Sequence, residues 1–302
     1  MKRQTRAYLF ALSAVLMWST VASAFKITLR YMNHTQLLFS STFVSLLTFL
    51  LLLTARKQLR QLRFQSMNDF LRSALLGFLN PFLYYFLLFK AYTLLPAQEA
   101  QALNYTWPIM FVLLSIPLLK QTISFRSLLA IIICFMGVII ISTRGAIREI
   151  HLTNSGGTIL VLSAALVWAL FWIYNVRDKR DEVIKLFHYF LFGFFYIAVV
   201  TIMRGGTALP ESRALLGAVY IGLFEMGVTF ILWSKALKLS ETTVQVSKFV
   251  YLVPFGSLLF IRFIVGEKIF PSTVFGILFI IAGIILEKLS HRGCAKVNPG
   301  KR

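Results

Sequence analysis

Long apolar runs separated by short basic clusters dominate the chain. A helix needs about 20 mostly apolar residues to cross a bilayer core. Runs of that kind occur at 7–29, 36–54, 73–95, 99–119, 126–143, 156–176, 186–203, 214–234, 243–264 and 271–289. The connections are short. Only 56–72 has room for extra structure, and its Leu59, Leu62, Phe64 and Phe70 among basic residues predict a surface-lying amphipathic helix. Nothing remains for a soluble domain, so the expected fold is an all-α integral membrane protein with ten transmembrane helices.

Composition agrees with that reading: 58% of the 302 residues are apolar and 14% charged, well outside the soluble range. The net charge of +20 would suggest nucleic acid as a partner in a soluble chain. Here the charges fall in loops between apolar runs rather than along one basic face, which argues against a nucleic-acid partner. With the N-terminus cytoplasmic, 21 of the 31 Lys and Arg lie on the cytoplasmic side and 7 on the other, with Lys26, Lys90 and Lys248 at membrane depth. The positive-inside rule therefore puts both termini in the cytoplasm. Cys134, inside an apolar run, and Cys294, in a basic tail, are too few for a disulfide framework or a metal site. Lys2, Arg3 and Arg6 ahead of an apolar run ending in Ala22-Ser23-Ala24 also resemble a signal peptide. A retained helix is preferred because an internal repeat needs it.

That repeat has a period near half the chain. Tyr105-Thr106-Trp107-Pro108 aligns with Tyr251-Leu252-Val253-Pro254 at an offset of 146, as does Gly137-Val138-Ile139-Ile140 with Gly283-Ile284-Ile285-Leu286. Lys90-Ala91 falls on Lys235-Ala236 at 145, and the segment ending in Trp18 resembles the one ending in Trp168 at 150. Each unit holds five spans, an odd number, so the second must enter the membrane from the opposite side. Two antiparallel halves of this kind can rock about a central site, an arrangement common in secondary transporters. The units expected are 1–145 and 156–290, with a basic cytoplasmic tail at 291–302.

At these residues the chain resembles the drug/metabolite transporter superfamily, in particular its ten-helix proteins built of two EamA domains. The resemblance rests on Trp18-Ser19, on the Tyr-x-x-Pro elements of the fourth and ninth helices, and on Gly266-Glu267. Asn104-Tyr105-Thr106-Trp107-Pro108 is similar to the Asn-Tyr-x-Trp-Pro segment of bacterial aromatic amino acid exporters. One departure is Lys120-Gln121, where the first half would carry Gly-Glu. The resemblance implies a cavity lined by the first, third, fourth, sixth, eighth and ninth helices, and a location in the bacterial inner membrane.

An ionisable group at mid-membrane costs about 2.5–3.5 kcal/mol on insertion scales, so each asks for a reason. Glu225 lies eleven residues into its span. It is either a cavity carboxylate for a substrate amine or a proton, or a buried carboxyl bonded between helices. Lys26 and Lys90 near span ends fit snorkelling to the headgroups. Lys248 precedes Tyr251 and Pro254 by one and two turns and could hold a carboxylate. Trp18, Tyr84, Tyr105, Trp107, Trp168, Trp172 and Tyr251 are candidate wall residues, against the alternative of packing or interfacial anchoring. Asn104 and Asn175 could orient a zwitterion without a charge penalty. Pro108 and Pro254 interrupt their helices at matched positions. Gln98, Glu99 and Gln101 after Pro96 read as a capped, solvated helix start.

No catalytic or phosphate-binding motif is present in the sequence, and the four histidines are scattered. The expected function is export of amino acids, aromatic ones among them, or related small metabolites by alternating access, with no metal or cofactor. Efflux of drugs or lipophilic cations is the alternative, and a membrane enzyme or scaffold a third. The expected partners are a small-molecule substrate and membrane lipid, with the chain a monomer or weak homo-oligomer.

Overall fold

The computed structural model describes residues 3–63, 66–119, 125–146, 154–175, 177–204, 211–240 and 248–295, with the side chains of Lys248 and Tyr251 outside that description. The described residues form ten helical spans and no strand. The first two are Arg3–Thr28 and His34–Ala55, and the third is Met67–Leu94. The fourth comprises Ala97–Asn104 and Trp107–Leu119; the fifth to seventh are Phe125–Ser142, Ser155–Asn175 and Glu182–Met203. The eighth runs through Ser212–Tyr220, Ile221–Glu225 and Val228–Leu239. The ninth runs through Lys248–Tyr251, Leu252–Phe260 and Ile261–Val265, and the tenth is Pro271–Ala295. An even number of spans leaves both termini on one face.

Local signals fix several starts. Asn33 and Gln36 close a reciprocal capping box on the second span, Asn33 Oδ1 accepting from the Gln36 N–H at 2.8 Å and Gln36 Oε1 from the Asn33 N–H at 3.0 Å. Ser66 caps the third span and Asp181 the seventh. Large apolar side chains stay exposed on the outside, among them Leu51, Leu216, Leu259 and Phe263, as lipid contact requires.

The sequence places an amphipathic surface helix at 56–72. The structure instead has one short 3-10 turn, Leu59–Leu62, and then starts the third span at Met67. The Ser66 cap decides this, because it gives the helix an N-terminus well before its apolar core.

The two halves pack as mirror images in connectivity. The first span lies on the eighth and ninth, and the sixth on the third and fourth; the second meets the seventh and the fifth meets the tenth. Glycines allow the fifth and tenth to touch backbone to backbone. A Cβ on Gly137 would sit 2.6 Å from the Gly276 carbonyl, and one on Gly283 would sit 2.7 Å from that of Ala130. Small residues at such crossings replace the hydrophobic driving force that lipid removes.

Candidate functional site

The third and eighth spans are both interrupted in mid-course, the third at Phe78–Leu83 by a kink where Asn80 is extended ahead of Pro81, the eighth by a π turn at Ile221–Glu225. Such breaks disturb the i→i−4 ladder and leave carbonyls to be satisfied by side chains. In the eighth span Ser45 Oγ donates to the Met226 carbonyl at 3.0 Å, and the Thr229 hydroxyl donates to that of Phe224. The turn ends on Glu225, which is buried. Its Oε1 accepts from the Tyr85 hydroxyl at 3.0 Å, while Oε2 has no hydrogen-bond partner among the described residues.

Tyr85 connects the acid to an aromatic wall. Its ring meets Tyr84 edge-on at 4.6 Å, and Tyr84 lies against Trp168 at 4.5 Å. Trp168 in turn contacts Phe171, Trp172 and Phe230. Asn104 Nδ2 donates to the Tyr84 hydroxyl at 3.0 Å, leaving Asn104 Oδ1 unpartnered among the described residues. The Trp172 indole N–H and Asn175 Oδ1 are buried and unpartnered in the same sense. Groups in that condition are costly unless something else bonds them. The third, fourth, sixth and eighth spans thus meet around one carboxylate, an aromatic wall and the unpartnered polar atoms of Asn104 and Trp172.

Of the residues singled out in the sequence, Tyr84, Asn104, Trp168, Trp172 and Glu225 form this connected group. Trp18 stands apart: its ring packs on Trp233 at 5.4 Å between the first and eighth spans. Tyr105 and Trp107 flank the break in the fourth span and are half-buried. Pro108 falls at the second position of the restarted helix and Pro254 at the third of Leu252–Phe260. Pro108 therefore occupies a first helical turn, where a missing N–H leaves no bond unmade, whereas Pro254 follows directly on the 3-10 turn Lys248–Tyr251 within the ninth span. The side chains of Lys248 and Tyr251, like Lys120-Gln121, lie outside the described residues.

Two expectations need correction on the face opposite the termini. Lys26 does not snorkel: its Nζ donates to the carbonyls of Tyr92 at 2.9 Å and Leu95 at 2.7 Å, capping the end of the third span. Gln98, Glu99 and Gln101 are not a solvated helix start either, for all three are buried. Gln98 Oε1 accepts from the Phe270 N–H and the Thr273 hydroxyl, Glu99 pairs with Arg144 at 2.7 Å, and Gln101 joins the Tyr92 hydroxyl to Ser257. The N-terminus they open is capped from the other half. Glu267 accepts the N–H groups of Ala97 at 2.9 Å and Gln98 at 3.3 Å. The Gly266-Glu267 pair thereby acquires a physical role, since Gly266, at φ +81°, turns the chain so that the carboxylate reaches a helix dipole.

Sequence reasoning missed Asn80. It is the extended residue at the kink of the third span, fully buried, with both side-chain polar atoms unpartnered among the described residues. A signal for it exists in the chain: Asn80 precedes Glu225 by 145 residues, the same offset that relates Lys90 to Lys235. Gly77 and Gly222 are a further pair at that offset. Each lets a neighbouring span come close, Gly77 to the Tyr189 carbonyl and Gly222 to that of Ser41.

Two stretches, residues 5–143 and 155–287, each match the EamA-like transporter family. The chain belongs to that family. An uncharacterized transporter of Clostridium kluyveri is 28% identical over 241 residues, 74% of each protein. The uncharacterized transporter YyaM of Bacillus subtilis is 25% identical over 59% of this chain and 60% of its own. A similar relative from Archaeoglobus fulgidus, 25% identical, covers 56% and 60%. One crystallised protein, 20% identical, superposes over 96% of this chain and 99% of its own with a TM-score of 0.65, a likeness of fold. This EamA-like chain is thus a multi-pass membrane transporter by family, and the relatives' names carry no substrate.

Proposed function

We propose that this EamA-like protein exports small amino-bearing metabolites, amino acids with aromatic side chains among them, by alternating access of a site between its halves. The observation that carries the reading is Glu225, a buried mid-span carboxylate with one oxygen bonded to Tyr85 and the other free among the described residues. A substrate ammonium group supplies the missing donor. The faces of Tyr84 and Trp168 supply apolar area for a side chain, and Asn104 Oδ1 and the Trp172 N–H supply two further polar contacts. With no nucleotide-binding motif in the chain, a solute or ion gradient drives the cycle.

The test is counterflow in proteoliposomes loaded with single unlabelled amino acids, following labelled phenylalanine, threonine or a lipophilic cation. An amino acid should accumulate, and Trp168→Ala and Glu225→Gln should abolish the accumulation. No exchange under any amino acid loading removes this substrate class. A second reading, efflux of lipophilic cations, is favoured by the same carboxylate standing among aromatic rings, which suits a delocalised cation. Cation exchange that Glu225→Gln abolishes, with amino acid exchange absent, selects it.

A further inference from the structure

On the face that carries both termini, the linker after the second span and the linker before the seventh enclose a depression of about 750 Å³. Six cations line it: Arg60, Arg63, Arg72, Arg177, Lys179 and Arg180. Three carboxylates also line it, and each is already engaged. Asp178 takes Arg180 in a 2.6 Å pair and the Tyr189 hydroxyl at 2.7 Å. Asp181 accepts the Val183 and Ile184 N–H groups at the head of the seventh span, and Asp69 accepts the Ser66 hydroxyl at 2.9 Å. Burial alone would push the Asp178 carboxyl up, but the hydrogen bonds from Arg180 and Tyr189 and the guanidinium charge hold it down at about 2. It therefore stays ionised, and committed to Arg180, from ordinary pH down to that value. Arg60, Arg63, Arg72, Arg177 and Lys179 make no ion pair with a described carboxylate.

Six cations against three carboxylates leave the concavity with a net charge of +3, which an anion relieves. What kind of anion follows from the residues next to these cations in the chain. Met67, Leu71 and Leu75, on the first turns of the third span beside Arg72, are exposed and apolar, and Leu59 beside Arg60 is exposed as well. A soluble anion has no use for such neighbours, whereas a phospholipid lays its chains along them and its phosphate in the bowl.

We propose that this bowl is a binding site for the phosphate headgroup of an anionic membrane lipid, held by Arg60, Arg63, Arg72, Arg177 and Lys179 at the bilayer surface. Polybasic concavities at helix ends recognise such headgroups, each Lys or Arg contributing about fivefold in affinity near an anionic surface. Arg presents a fork that fits phosphate oxygens two at a time. Because the site lies at the linkers, away from Glu225, it stands independently of the transported substrate.

The test uses the full chain in nanodiscs of phosphatidylcholine doped with cardiolipin or phosphatidylglycerol. The fraction of anionic lipid retained after delipidation is read by native mass spectrometry and the affinity by fluorescent-lipid titration. Arg63→Gln with Lys179→Gln, at two exposed positions, should weaken binding by about 25-fold at low salt. Arg6→Gln with Lys235→Gln, a double neutralisation elsewhere in the chain, should leave it within about twofold. Arg63→Lys in place of Arg63→Gln, with Lys179→Gln kept, should recover about fivefold of that loss, which a folding defect would not allow. Equal weakening by both double variants overturns the site, since it would mean only a diffuse surface charge. Displacement of the lipid by millimolar inorganic phosphate or glycerol phosphate overturns the lipid as occupant and makes the bowl a soluble-anion site.

Discussion

The mid-span breaks of the third and eighth spans, a kink at Asn80 and a π turn ending on Glu225, differ in a respect that matters for chemistry. Both interrupt their helix at the same repeat position, both lie beside a glycine that brings a neighbouring span into backbone contact, and both bury a polar residue at the same offset. Yet Asn80 is bonded to nothing described, while Glu225 has Tyr85 on one oxygen. The backbone is extended at Asn80 and stays helical through Ile221–Glu225, so the two halves share the position of the break while differing in its conformation and its side chains. A fold that only needed two equivalent hinges would not need an acid in one of them. The shared feature is architectural, and in the function proposed above the unshared one serves the solute.

The strongest way to break the comparison is to make the halves alike. Glu225→Asn should reduce counterflow about a hundredfold, the loss of a charge-assisted bond worth about 1.5–3 kcal/mol, while the melting temperature in detergent holds. If exchange survives, the asymmetry is structural and the acid carries no substrate. Next, Gly77→Ala and Gly222→Ala should each destabilise by about 1–3 kcal/mol, the usual cost of overpacking. Equal shifts in thermal midpoint are expected, and a large effect at one site alone would show that the two breaks do different mechanical work. A smaller effect of opposite sign is expected at Asn80→Leu, which removes an unbonded buried amide and should stabilise by about 1 kcal/mol, with counterflow kept within severalfold. A transport loss as deep as that of Glu225→Asn would put Asn80 in the site as an equal partner. Smallest is Glu267→Gln, costing about 0.3–1 kcal/mol of helix-terminus stabilisation in a thermal melt.

Much of this is legible in the chain. Apolar run length marks the ten spans to within a few residues at most ends, because crossing a membrane is a one-dimensional requirement. The repeat offset implies the inverted pairing, and the isolated acid among Phe224 and Met226 marks Glu225. What escapes are polar groups whose meaning depends on a distant partner. Lys26 reads as a snorkelling side chain until the carbonyls of Tyr92 and Leu95 come within reach. Gln98 and Glu99 read as solvated until the tenth span and Arg144 cover them. The π turn of the eighth span escapes for another reason. A wide turn changes which carbonyl each N–H meets without changing hydropathy, so an apolar window cannot register it. Asn80 is the exception, since the repeat offset that carries it onto Glu225 is itself a detector of such a break.

The seam opposite the termini is written in an unusual medium. Lys26 and Glu267 grip main-chain carbonyls and amides, at Tyr92, Leu95, Ala97 and Gln98, with the Gln98 side-chain amide as an added, longer donor to Glu267 at 3.5 Å. Half of that lock is therefore common to every amino acid. Residues 92, 95 and 97 can drift through evolution without loosening it, and only a proline at 97 or 98, by deleting an N–H, removes the receiving part. The side-chain identity of that seam is therefore concentrated in Lys26 and Glu267, two letters that meet partners almost any residue can supply.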